Sequence, residues 1–113
     1  MRVWEEAHCF VLAIYRETAA FPGVERFRLT DQILRSVTSV AANIAEGKSR
    51  RTRADFRHFL VTARASLEET RYFLLLAKDL GYLSETAHLK HDTRAEKIHK
   101  MLNALVGHLV GKS

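Results

Sequence analysis

The sequence predicts an all-α fold, an antiparallel up-and-down four-helix bundle, on three observations. Apolar residues recur at spacings of three and four along most of the chain, and no stretch alternates strictly between apolar and polar. One proline and five glycines punctuate the 113 residues, and Pro22, Gly23, Gly47 and Gly81 stand where those periodic runs break. A hydrophobic content of 47% against 27% charged residues suits one globular core, and no composition shift or repeat marks a second domain. The expectation is a single domain over 1–113, with helices at about 4–20, 30–46, 53–80 and 84–110.

The first helix is read from Trp4, Ala7, Val11, Ile14 and Thr18, which share one helical face, and Phe21, Pro22 and Gly23 end it. Thr30 is placed to cap the second, where Ile33, Val37, Val40 and Ile44 make the buried stripe and Gly47 suits a left-handed C-terminal position. Beside that stripe run Ser36, Ser39, Asn43 and Glu46, read as a structural hydrogen-bond network rather than a catalytic group, since no second titratable residue accompanies Glu46. Thr52 followed by Asp55 resembles a capping box and opens the third helix. Phe56, Phe59, Leu60, Ala63, Leu67, Phe73, Leu74 and Ala77 form its core face, and Gly81 terminates it. Ser84 caps the fourth helix, which turns Ala95, Ile98, Leu102, Leu105 and Leu109 inward and frays near Gly111. Its first two turns, with His88, Lys90, His91 and Asp92, read as a solvated polar face. Helices three and four, about 28 residues or ~40 Å each, are longer than the other two, so their hairpin is expected to overhang and offer a place for a partner.

Charge is concentrated. Lys48, Arg50, Arg51, Arg53 and Arg57 face a lone Asp55 within ten positions, a net +4 out of the chain's formal +5. Arg53, Arg57, Arg64, Arg71 and Lys78 continue the cluster as a stripe down helix three, with Glu68 placed to pair internally with Arg64 and Arg71. Lys and Arg neutralise phosphates without reading sequence, so this stripe points to a polyanion, RNA or DNA, held through its backbone. A solvated helix face is the alternative meaning of the same spacing. A second apolar set on helix three, Val61, Ala65, Tyr72, Leu75 and Leu76, cannot share the core with the first and marks a self-association face. Self-association around an axis repeats the cations and enlarges their field.

Other chemistry has little to rest on. His88, His91, Asp92, Glu96 and His99 lie near one another on a helix, but no Cys pair, HExxH or paired Glu-x-x-His motif joins them, so no metal, cofactor or catalytic residue is assigned. The lone Cys9 forms no internal disulfide and suits a reducing compartment. Glu5, Glu6, Arg16 and Glu17 interrupt any signal-peptide core, and no apolar run reaches the ~18 residues of a bilayer span, so a soluble, cytoplasmic protein without membrane contact is expected.

SVAANIAEG, the Arg50 and Arg53 that follow it, FRHFL, ARASLEE and LGYL resemble the bacterial four-helix-bundle family named for 23S ribosomal RNA intervening sequences. Trp4, Ile14, Tyr15, Thr18, Phe21, Pro22, Glu25, Phe27, Leu29 and Gln32 also match, so the resemblance covers Trp4 to Leu83, with the last helix matching only as a generic amphipathic one. Ala41 stands where that family often has proline and Ala65 where it often has glycine. The resemblance implies an up-and-down bundle assembling as a cyclic homopentamer. It also implies a relation to the accessory variability proteins of diversity-generating retroelements, which bind nucleic acid and a reverse transcriptase. The functional expectation is a non-enzymatic oligomeric accessory that holds RNA or DNA through Lys48, Arg50, Arg51, Arg53, Arg57, Arg64 and Arg71 and docks a reverse transcriptase. The alternative is a scaffold for an acidic protein partner.

Overall fold

The computed structural model describes residues 1–110. Four helices, α1 (Arg2–Thr18), α2 (Leu29–Lys48), α3 (Arg53–Asp79) and α4 (Glu85–Val110), pack as a bundle in which each touches the next and α4 closes on α1. A 3-10 turn at Gly23–Glu25 lies between α1 and α2. The expected fraying near Gly111 lies outside the described residues.

The core follows the apolar stripes. Ile33, Val37, Val40 and Ile44 of α2 are fully buried, as are Leu60, Ala63 and Leu67 of α3 and Ala95, Ile98 and Leu102 of α4. Phe56, Phe59, Phe73 and Leu105, expected inside, are only half-buried. In α1, Ala7, Val11, Ile14 and Thr18 are buried as expected and Val3 and Phe10 join them, whereas Trp4 is half-exposed and stacks on His8 with ring centroids 5.1 Å apart. The buried face is therefore wider than the expected stripe and begins at Val3 rather than at Trp4.

The termini show which local signals decide. Thr52 Oγ1 accepts from the Asp55 N–H at 3.1 Å and Ser84 Oγ from the Ala87 N–H at 3.0 Å, as their sequence positions imply. After α3, Gly81 takes φ +84°, its N–H donating to the Lys78 carbonyl and that of Tyr82 to the Ala77 carbonyl, the two bonds of a Schellman closure. Thr30 does not cap α2. The helix begins at Leu29, whose side chain is buried, and the Leu29 N–H is met at 3.4 Å by the Glu25 carboxylate. Gly47 does not terminate α2 either; it lies within the helix, with no left-handed φ. A Cβ there would stand 2.8 Å from Phe59 Cβ and 3.0 Å from Phe56 Cδ1, so the glycine lets α3 approach.

The α2–α3 contact is also where the polar stripe goes. Thr70 Oγ1 donates to Ser36 Oγ at 2.8 Å, and Ser36 donates onward to the Ile33 carbonyl. Ser39 and Ser66 hydroxyls meet at 2.8 Å, with Asn43 Nδ2 donating to Ser39. Short hydroxyl side chains bring two helices close while satisfying each other, which is the structural role expected of Ser36, Ser39 and Asn43. Glu46 stays outside this network. Ala41 is buried in an unbroken α2, and Ala65 lies exposed on α3.

The long α3–α4 hairpin does not overhang freely. The connection after α1 folds over its end: Phe21 packs on Tyr82 with centroids 5.8 Å apart, and the Tyr82 hydroxyl donates to Glu25 Oε2 at 2.9 Å. That bond, with burial adding to it, raises the Tyr82 pKa above its ordinary 10. His91, expected on a solvated face, is instead buried between α4 and α1, with Nε2 2.8 Å from Glu17 Oε1.

Candidate nucleic-acid interface

The cationic cluster occupies the turn between α2 and α3, at the end of the bundle where the chain also begins. Helix α2 ends on Lys48, Ser49 N–H returns to the Glu46 carbonyl, and Arg50 N–H to that of Gly47, so the chain reverses within four residues. Ser49, Arg50, Arg51, Thr52 and Asp55 line a shallow concavity there. Thr52 meets one of the orphan amides of α3, and the remaining first-turn N–H groups add the positive end of a 27-residue helix to the side-chain charge.

The predicted cations divide into three kinds. Lys48, Arg51, Arg53 and Arg57 form no ion pair among the described residues. Arg50 is held: its Nη2 lies 2.7 Å from Glu46 Oε2 and its guanidinium sits 4.6 Å above the Phe59 ring. Arg64 donates to the neutral Asn103 Oδ1 at 2.8 Å, keeping its full charge. Arg53 and Arg57 are one turn apart on α3, and Arg64 lies about two turns further, ~10 Å along the axis.

Arg71 does not belong with them. Its half-buried side chain lies between α3 and α4, bonded to Asp92 at 2.9 and 3.2 Å, to Glu96 at 3.0 Å and to Glu68 at 3.4 Å. The hydrogen bonds that Arg71 donates to Asp92 raise its pKa above the ordinary value, burial acts in the opposite sense, and Glu96 and Glu68 add to the rise. Surrounded by three carboxylates, Arg71 has no net positive charge to offer a polyanion and instead fastens α3 to α4. Lys78 likewise faces Asp79 at 3.9 Å. His99 Nδ1 is 3.1 Å from Glu68 Oε1 but outside hydrogen-bond geometry, the one buried side-chain polar atom without a hydrogen-bond partner among the described residues.

One cation escapes sequence reasoning. Met1 and Trp4 share a small groove with Ile44, Ala45 and Lys48, so the first turn of α1 carries the exposed, unpaired Arg2 to the same end of the bundle. Forty-six positions separate Arg2 from Lys48, and only the antiparallel topology joins them.

The second apolar face of α3 is uncovered in the monomer. Val61, Ala65, Tyr72 and Leu75 are exposed and Leu76 is half-buried. Among the described residues no helix is long and apolar enough to cross a membrane, and no group of three or more His, Cys, Asp or Glu side chains is placed to hold a metal ion.

A family model described as 23S rRNA-intervening sequence protein matches residues 1–104. The chain belongs to this family. The match runs through most of α4, beyond the Trp4 to Leu83 span that the sequence motifs covered. Among solved structures, the family relation is echoed by a protein of unknown function from the S23 ribosomal protein family of Bacteroides thetaiotaomicron VPI-5482. It is 29% identical, covering 92% of this chain and 97% of its own, with a TM-score of 0.83. Comparison with curated proteins gives no match.

Proposed function

We propose that this chain is a non-enzymatic, self-associating accessory protein that holds RNA or DNA through backbone phosphates at the α2–α3 turn. The observation that carries the reading is the separation of free from engaged cations. Lys48, Arg51, Arg53 and Arg57 stand together without carboxylate partners, while Arg71 and Lys78, at the other end of the same stripe, face carboxylates of the chain. A positive field concentrated at the α2–α3 end of the hairpin draws a polyanion there. Arg64 extends the contact along α3, Arg2 broadens it, and Arg50 braces the turn. The retroelement relation implied by the sequence motifs makes a reverse transcriptase a protein partner to test first. A reverse transcriptase gene beside template and variable repeats supports that role, and a position within a ribosomal RNA gene opposes it.

The test is titration of a labelled RNA and of a duplex DNA at low salt with wild type and with a variant carrying Arg50, Arg51, Arg53 and Arg57 all changed to Gln. Affinity falls while the far-ultraviolet circular dichroism is retained. Equal affinity in the folded variant would falsify the site. A second reading, a scaffold gripping an acidic protein, is favoured by the state of the nearby rings. Phe59 lies under Arg50 and Phe56 packs against Gly47, so neither phenyl ring is free for base stacking. Retention of an acidic protein after nuclease treatment, together with weak RNA binding, selects that reading.

A further inference from the structure

The exposed face of α3 has a complement elsewhere on the same chain. In the connection between α1 and α2, Phe27 is 82% exposed and Val24 65%, the two most exposed side chains among the large hydrophobics apart from Leu89 at 67%. They are not on a slack loop. Glu25 N–H bonds to the Pro22 carbonyl, Arg26 N–H to that of Gly23 and Arg28 N–H to that of Glu25, while the Glu25 carboxylate is fixed by Tyr82 and Leu29. The result is a preorganised apolar knob. Arg26 lies over the Phe27 ring at 5.2 Å, and neither Arg26 nor Arg28 forms an ion pair among the described residues. A partner for this knob needs an apolar surface edged with carboxylates.

The outer side of α3 has that composition. Tyr72 and Leu75 are exposed, and Glu69 stands one turn before Tyr72 without an ion-pair partner; in the hollow that holds Tyr72 and Leu75 the Glu68 and Asp92 carboxylates are already bonded to Arg71, which leaves Glu69 as the carboxylate open to a partner. We infer that the α3 face is covered by the Val24–Phe27 knob of a second copy, with Arg26 and Arg28 of one protomer set against Glu69 of its partner. The two surfaces differ, so the contact is heterologous and repeats head to tail. Both lie toward one end of the bundle: the knob is tied to Tyr82, and Leu75 and Tyr72 precede Leu80 by about 8 and 12 Å of helix. Contact at similar heights lets successive copies close into a ring with their α2–α3 turns on one rim. This inference rests on the self-association in the proposed function and specifies its interface.

The experiment is sedimentation equilibrium of the full chain, with circular dichroism as the folding control, on wild type, Phe27→Asp, Glu69→Arg, Arg26→Glu/Arg28→Glu and the variant combining all three charge reversals. Wild type self-associates, and Phe27→Asp weakens association by about 30-fold or more, the loss expected of a buried aromatic anchor. Each charge-reversed surface alone weakens association, and their combination in one chain recovers it. A monomeric wild type overturns the inference, as does a folded Phe27→Asp that associates like wild type, or a combined reversal no better than its parts. RNA titration keeps the two readings apart. If Phe27→Asp stays oligomeric while the four-Gln variant loses RNA, the interface is wrong and the binding site stands. If Phe27→Asp dissociates while the four-Gln variant binds RNA normally, the reverse holds.

Discussion

Gly47→Ala tests whether the glycine in SVAANIAEG serves close helix packing or chain termination. The residue is helical and has no left-handed φ, so helix propensity alone favours alanine by roughly 0.5–1 kcal/mol. Against this, the new Cβ meets Phe59 Cβ at 2.8 Å, Phe56 Cδ1 at 3.0 Å and the Phe56 carbonyl oxygen at 3.3 Å. Two of those three atoms are fixed to the α3 backbone and cannot swing aside, so relief requires separating α2 from α3 over the Ser39–Ser66 hydroxyl pair. Overpacking of this kind costs about 1–3 kcal/mol, which less the propensity gain leaves a net loss of up to roughly 2.5 kcal/mol, at about 4 °C in Tm per kcal/mol for a domain of this size. Gly107→Ala is the control: it too lies in a helix, its Cβ meets nothing within 4 Å, and it gains the full propensity difference of roughly 0.5–1 kcal/mol. Guanidinium unfolding of both variants at one fixed protein concentration reads the difference as opposite shifts in midpoint at constant slope. A Gly47→Ala midpoint at or above wild type refutes the packing argument.

Three further outcomes follow from the geometry. Arg71→Gln lowers stability by about 1–2 kcal/mol, because three part-exposed carboxylates lose their common donor, yet leaves RNA affinity within about twofold; a large loss of affinity in the folded variant returns Arg71 to the binding site. Duplex binding by the four unpaired cations of one turn gives a slope of log K against log salt of roughly −3 to −4 per protomer engaged, and a slope near zero removes the phosphate contacts from the account. Because the folded-state pKa of Tyr82 is raised, its contribution to stability is present below pH 10 and fades as pH climbs from there through the folded value. The phenolate absorbance lost in Tyr82→Phe should therefore titrate above 10, and titration at or below 10 contradicts the Glu25 hydrogen bond.

Much of the bundle could be read from the sequence because each helix carries its own instructions. Thr52 and Ser84 cap where short polar side chains precede a periodic run, and Gly81 stops α3 where a left-handed residue is needed. The α2 stripe fell entirely inside because β-branched and aliphatic residues repeat there without ambiguity. What stayed illegible depends on partners distant in the chain. Nothing local distinguishes a terminating Gly47 from one that admits a neighbouring helix, since Phe56 and Phe59 belong to the next element. Arg71 looks like Arg64 in a one-dimensional stripe, and only the arrival of Asp92 and Glu96 from α4 separates a fastened guanidinium from one that keeps its charge. His91 was hidden for the same reason, its partner Glu17 being 74 positions away.

The glycine and hydroxyl packing between α2 and α3 also bears on how the molecule moves. These helices form the closest pair in the bundle, whereas α1 and α4 meet more sparsely, with the His91–Glu17 contact between them. Local opening therefore begins along the α1–α4 seam, and amide exchange there should run ahead of exchange in the central hairpin. The turn from Lys48 to Arg57 is consequently carried by the segment that opens last. Its charges keep their spacing while the remainder of the bundle breathes, so under the proposed function phosphates would meet a fixed template and little ordering entropy would be lost on contact.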